Sequence, residues 1–189
     1  MDPNCEPKTE TVQVLVCMHS HSDADPTDVE TEIRSYLEHS FAAIPTGSLL
    51  PKNNSLSAHV LSIRTVEAAS PLIPMADVKL EIIVYSHAVQ DKDRSEHLAN
   101  ISNLPSVHLE GHFESLVLDA NIKLGILRYV NSSLLFSDLG VDPNIISVNR
   151  VILLTGPPGT GKTTLCKGIA QQISIRFGQR YPETRLVKS

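Results

Sequence analysis

Apolar and polar positions first alternate between Thr11 and Cys17, where Val12, Val14 and Val16 stand two apart. That spacing predicts a β-strand. His19 to Pro26 is polar and predicts a turn. Thr27 then reads as a helix N-cap, and Glu30, three residues on, completes a capping box. Val29, Ile33, Tyr36 and Leu37 share one face of the helix so predicted, which ends near His39. Residues 45–57 are rich in Pro, Gly, Asn and Ser and predict loop. His59 to Val66 predicts a second strand, Pro71 and Pro74 interrupt, and Asp77 to His87 predicts a third. In that third strand Val78, Leu80, Ile82 and Val84 alternate with Lys79, Glu81 and Ile83. Gln90 to Glu96 is a charged loop and Pro105 lies in a second linker. The boundary therefore falls near residues 100–110, dividing the chain into domains 1–103 and 104–189.

The pattern then changes. From Phe113 to Phe136 apolar positions 113, 116, 117, 120, 124, 127, 130 and 134 recur at helical spacing, with Asp119 placed to cap a second helix inside that stretch. Asp138 to Pro143 predicts a turn. Arg150 to Thr155 holds a short continuous apolar run, as in a parallel strand buried on both faces. A Gly/Pro loop follows, and then Leu165, Ile169 and Ile173 at i, i+4 and i+8. The order strand, glycine loop, helix makes the chain α/β: a small α+β N-terminal domain followed by the opening of a nucleotide-type domain.

Charge and composition narrow the function. The 189 residues carry a formal net charge of −5, unevenly placed. Residues 1–100 hold 15 acidic and 7 basic residues, and residues 101–189 hold 6 and 9. Phosphate contacts need clustered Lys and Arg, so the front half is a poor candidate for direct nucleic-acid binding. Its acidic excess reads as a solvated face or as a surface for a basic protein partner. The apolar runs are only a few residues long, against about 20 for a membrane span, so no membrane partner is expected. Met1 to Glu6 has neither a basic nor an apolar region of a secretory signal. Three cysteines, Cys5, Cys17 and Cys166, form no paired framework and fit a reducing compartment.

The strongest chemical signal is Gly156-Pro157-Pro158-Gly159-Thr160-Gly161-Lys162-Thr163, which matches the P-loop pattern G-x-x-x-x-G-K-[ST] in its required setting. Backbone N–H groups of such a loop wrap a phosphate chain, and the following helix N-terminus adds a favourable dipole. Lys162 is placed to reach the β- and γ-phosphates, and the Thr163 hydroxyl to bind Mg²⁺ as a hard oxygen ligand. Thr160 and Thr164 are close enough to assist. The cofactors expected are ATP and Mg²⁺.

The spelling of this loop resembles AAA+ ATPases. With its flanks, Phe113 to Asp119, Leu134 to Asp138, Asn149 to Thr155, Leu165 to Lys167 and Ile173 to Arg176, it resembles the pachytene checkpoint protein 2 family, also called the thyroid receptor-interacting protein 13 family. The close resemblance covers about residues 104–187. It implies a homo-hexameric ring that uses ATP to remodel HORMA-domain proteins, with an N-terminal domain receiving the substrate, in animals through a HORMA-like adaptor. It further implies roles in meiotic recombination, chromosome-axis control and checkpoint signalling, in the nucleus and the cytoplasm. Phe113 and Val148 stand where the family usually has Trp. Only 26 residues follow Thr163, fewer than the about 30 of one βαβ unit. The expectation is an AAA+ domain truncated after the Walker A helix, without Walker B strand, sensor, arginine finger or pore loop. The alternative expectation is a non-hydrolysing substrate-binding isoform or fragment that modulates the full-length ring. A P-loop kinase or small NTPase outside AAA+ fits less well, because its P-loop would open its domain.

Other constellations are weaker. Cys17-x-His19-x-His21 offers three metal-ligand types but no fourth nearby, so surface polar residues are the favoured reading. His108 and His112 flank Glu110 without matching H-E-x-x-H, and read as linker residues. Cys166 reads as a small packed residue in the helix after the loop. Ser115, Leu116 and Val117 read equally as an adenine-pocket wall or, for Leu116 and Val117, as core.

Overall fold

Alternation along β1 (Glu10–Met18) sends Val12, Val14, Val16 and Met18 into one apolar core, where none is more than 5% exposed. The computed structural model describes residues 9–66, 68, 70–88, 100–139 and 151–188. They fall into two units, Met1–Ala88 and Val89–Ser189. In the first, α1 (Pro26–Ser40) contributes Val29, Ile33 and Leu37 to the same core, at the i, i+4, i+8 spacing of one helical face.

The cap of α1 is Asp25, not Thr27. Asp25 Oδ1 accepts from the Thr27 amide at 2.8 Å, and Pro26 takes the first helical position. Proline suits that place because its fixed φ is already helical and its missing N–H would have no partner there. Thr27 is thus the second helical residue, its carbonyl accepting from the Thr31 hydroxyl at 3.0 Å. Glu30 points forward to Arg34 at 3.1 Å instead of back to a cap.

Two further strands pair with β1. β4 (Val60–Thr65) runs antiparallel and β6 (Val78–Ser86) parallel, and β3 (Leu49–Leu50) adds to β4, giving the order β3-β4-β1-β6. The parallel pair sets Val14 beside Ile82 and Val16 beside Val84. The stretch expected as loop holds more order than its composition predicts. β2 (Ala43–Pro45) pairs antiparallel with β5 (Leu72–Pro74), and Leu56–Ala58 forms a 3₁₀ turn. Burial is the reason: Ile44, Leu50, Leu56 and Ile73 all enter the core. The buried Thr65 hydroxyl donates to the Pro45 carbonyl at 2.7 Å and accepts from the Ser48 amide at 3.2 Å, fixing the turn between β2 and β3.

The second unit is built around α3 (Lys162–Arg176). Residues 100–103, read from sequence as the end of the first domain, form β7 (Asn100–Leu104) together with Leu104 and pair antiparallel with β8 (Thr184–Lys188) in this unit. The helix expected from Phe113 begins later, as α2 (Ala120–Asp138), directly after Asp119, whose carbonyl accepts from the Ile122 and Lys123 amides. Phe113 to Ser115 belong to a turn, and Leu116 to Leu118 are irregular chain. Packing explains this. A Cβ on Gly168 would lie 2.9 Å from Phe113 Cα and 3.0 Å from its N, so the Phe113 backbone itself lies against α3. Helix α2 is held at its C-terminal end by Asp138, which accepts from the Tyr181 hydroxyl and pairs with Arg180 at 2.8 Å.

Residues 151–155, expected as a buried parallel strand, form no ladder with any described strand. Val151 is 72% and Leu153 82% exposed, while Leu154 packs on the cluster of Phe113, Leu165 and Ile169. A parallel strand is stable only between neighbours that satisfy its backbone and cover both faces. Among the described residues no helix is long and apolar enough to cross a membrane. The charged loop Gln90 to Glu96, residues 140–143 of the expected turn, Val148, Asn149 and Arg150 lie outside the described residues.

Candidate nucleotide site

The loop from Gly156 to Gly161 turns on glycines. Gly159 and Gly161 both have φ of 80°, the left-handed region where a side chain is strained. Gly161 is also closely packed, since a Cβ there would meet Leu116 Cδ2 at 3.0 Å. It is the N-cap of α3, and its carbonyl accepts the first helical hydrogen bond, from Leu165 N at 2.8 Å. A glycine cap supplies no side-chain acceptor, so the first N–H groups of α3 keep their capacity for an outside anion.

Lys162 opens the helix and its ammonium turns back over the loop. Nζ donates to the Gly156 carbonyl at 2.9 Å and the Pro157 carbonyl at 2.6 Å, and lies 3.3 Å from Thr160 Oγ1. The Thr160 hydroxyl donates in turn to the Pro157 carbonyl at 2.9 Å. A single cation thus ties the two sides of the loop together. Thr163 follows as an exposed residue in the first turn, and Thr164 is half-buried. Pro157 and Pro158 are exposed on the loop's outer side. Positive charge, glycines at 80° and an uncapped helix N-terminus suit a polyphosphate, and the exposed Thr163 hydroxyl suits the divalent cation that accompanies it.

The chain beside the loop is placed by residues that periodicity does not reveal. Gln171, 3% exposed, clamps the Ser106 backbone from both sides: Ser106 N donates to Oε1 at 2.9 Å and Nε2 donates to Ser106 O at 3.1 Å. Gln172 Nε2 donates to Glu114 Oε1 at 2.8 Å, and Arg176 donates to Gln172 Oε1 at 2.8 Å. These glutamines hold residues 106–114 along α3, and Leu116 is thereby delivered to Gly161. Leu116 joins the Phe113 cluster, whereas Val117 is fully exposed and no part of a core in this unit. Lys123, 7% exposed, sets its ammonium 5.6 Å from the Phe113 ring centroid. A Gln-Gln pair inside an otherwise apolar helical face was the available signal for this clamp.

The remaining sequence candidates do not converge. Cys166 is exposed, so it is not the packed small residue expected. Cys17 is buried with Sγ 3.6 Å from His87 Nδ1. His19 instead donates its amide to the His59 carbonyl, and His21 is exposed. His108 lies in a 3₁₀ turn (Val107–Leu109), and the His112 amide donates to the Leu109 carbonyl. Among the described residues no three His, Cys, Asp or Glu side chains gather as a metal site.

With this geometry in view, comparison with known proteins is informative. Residues 7–90 match the TRIP13 N-terminal domain, and residues 152–183 match the ATPase family associated with various cellular activities (AAA). The chain is 36% identical over 188 residues to a pachytene checkpoint protein 2 homolog of Danio rerio, covering 94% of this chain and 44% of that relative. It is 34% identical over 190 residues to the homolog of Arabidopsis thaliana, covering 94% and 41%. The solved structure of C. elegans PCH-2 superposes with a TM-score of 0.74 at 26% identity, over 93% of this chain and 48% of that one. The chain therefore spans under half the length of the relatives it matches.

Proposed function

The chain belongs to the pachytene checkpoint protein 2 family of AAA ATPases, and from that premise we propose that its second unit binds Mg²⁺-ATP through Gly156 to Thr164 while its first unit receives a HORMA-domain protein, directly or through a HORMA-like adaptor. The observation that carries the nucleotide half is the Lys162 ammonium, held over a loop whose glycines leave the backbone open to phosphate. Lys162 would exchange the Gly156 and Pro157 carbonyls for β- and γ-phosphate oxygens, a stronger charge-assisted pairing. Amides of Gly159, Thr160 and Gly161 would line the phosphates, and the Thr163 hydroxyl would ligate Mg²⁺. Bound Mg²⁺-ATP supplies the free energy of phosphoryl transfer. Leu116, delivered beside Gly161, would offer an apolar surface to the base, with the exposed Val117 next to it in the chain.

The partner half rests on the match of residues 7–90 to the TRIP13 N-terminal domain and on the acidic excess of that unit. The family resemblance supports assembly as a hexamer, action in meiotic recombination and checkpoint signalling, and residence in the nucleus, on chromosomes, and in the cytoplasm. The test of the nucleotide reading is calorimetric titration of the chain with Mg²⁺-ATP, beside the Lys162→Ala variant. Heat of binding lost in the variant, with its thermal melt unchanged, supports the site. Equal binding by both proteins sinks it. In a chain extended to the full length of its relatives, Lys162→Ala is expected to abolish ATP turnover.

A further inference from the structure

Strand β6 is nine residues long and, among the described residues, pairs with β1 alone. Two contacts close the start of its outer edge: the Val78 amide donates to the Met75 carbonyl, and Arg34 Nη1 donates to the Leu80 carbonyl at 3.2 Å. Successive residues of a strand address opposite edges, so Ile82 and Val84 turn their N–H and C=O groups to the same outer edge as Leu80. Long open edges are templates for pairing with another chain, and proteins that do not use them blunt them. Here Met75 and Arg34 occupy the Val78 and Leu80 rungs, and the next two, at Ile82 and Val84, have no partner on that edge among the described residues. A groove lined by Thr9, Arg34, Glu38, Met75, Val78, Lys79 and Leu80 runs beside this end of the strand; Met75, Val78 and Leu80 give an incoming side chain apolar contacts, and Glu38 is the one carboxylate in the lining.

We infer that the outer edge of β6 is a docking site for an extended, basic segment of a partner protein, which adds a strand beside Ile82 and Val84. The main-chain groups supply the hydrogen bonds of strand addition. Charge decides the occupant. Residues 1–88 hold twelve acidic and five basic residues, a net of −7. A second copy of the unit would be repelled, while a segment with Lys or Arg flanking its extended core would be drawn in. Arg34 stops the added strand at Leu80 and so sets its register. This inference uses the first unit alone and is independent of nucleotide binding.

The experiment uses the full chain and a capped peptide of alternating Thr and Val with a Lys at each end. Amide exchange by NMR is expected to show Ile82 and Val84 exchanging fast in the free chain and protected once the peptide is added. N-methylating the peptide on the edge facing β6 removes its donors there and is expected to weaken binding by at least about tenfold. N-methylation on the far edge leaves binding unchanged, and raising the salt weakens it. Protection of Ile82 and Val84 already in the free chain overturns the inference, as does protection that grows with chain concentration. Failure of the peptide to bind, or equal binding by the two N-methylated peptides, also overturns it.

Discussion

Gly168 and Gln171 do more for the candidate site than their chemistry advertises. Gly168 lets the Phe113 backbone lie on α3, and a methyl group there would stand 2.9 Å from Phe113 Cα. Backbone cannot swing aside as a side-chain tip can, so Gly168→Ala is expected to cost the second unit about 1–3 kcal/mol despite alanine's better helix propensity. A calorimetric melt should show that loss in the second unit's transition, with the first unit's unchanged. Gln171→Leu would leave the buried Ser106 N–H without its acceptor, while the Ser106 carbonyl keeps the Leu109 amide as donor. One orphaned group costs about 1–3 kcal/mol, and a loss of that size is expected in urea denaturation. Should Gln171→Leu melt like the parent chain, the clamp is ornamental and the delivery of Leu116 to Gly161 has another cause.

At the scale of elements, the start of α1 carries a titration. The Thr27 amide hydrogen bond holds the Asp25 carboxyl below the ordinary carboxylate range, since it favours the charged form. A carboxylate with a lowered folded pKa stabilises the folded state above its unfolded pKa, about 4, and that contribution fades as pH falls through the lowered folded value. Asp25→Ala is therefore expected to melt earlier than the parent near about pH 6, with the gap closing in acid below the folded pKa. Thermal melts across that range read this directly. A gap that stays constant with pH would show that the cap acts through something other than its charge. Thr27→Ala keeps the amide donor but removes the hydroxyl that also lowers the Asp25 pKa, so it should reduce this pH dependence without abolishing it.

For the whole molecule, the two units make separate expectations. The first has its own core, from Val12 on β1 to Ile82 on β6, with α1 laid across it. Residues 1–88 expressed alone are expected to unfold in one cooperative transition with dispersed amide resonances. A broad, featureless melt would refute that. The second unit shows Val151, Ile152 and Leu153 to solvent in front of the phosphate loop. A loop resting on a segment that ladders with no described strand pays ordering entropy when it closes on a ligand. The 189-residue chain is thus expected to bind Mg²⁺-ATP weakly and to release no phosphate. Sustained turnover, abolished by Lys162→Ala, would contradict this.

Local signals were enough wherever the chain's own period or a close-spaced motif set the outcome. The strands over residues 11–17, 60–65 and 78–86 and the face Val29, Ile33, Leu37 follow from hydrophobic spacing alone, because burial on one side demands it. The phosphate loop is legible for the same reason: its glycines and Lys162 act within eight consecutive residues. The sequence misplaced one local signal and several that depend on distant neighbours. Pro26, next to the cap, set the start of α1 back to Asp25. Burial of Leu50 and Leu56 drew parts of the loop expected over residues 45–57 into β3 and a 3₁₀ turn. Apolar spacing at Phe113 imitated a helix, yet Phe113 sits in a turn whose backbone packs on Gly168, 55 residues on. The apolar run before Gly156 has strand composition, but composition cannot supply the neighbouring strands that a ladder requires. Only the tertiary structure brings Ser106 to Gln171 and Leu116 to Gly161, since contacts of long sequence separation leave no period in the chain.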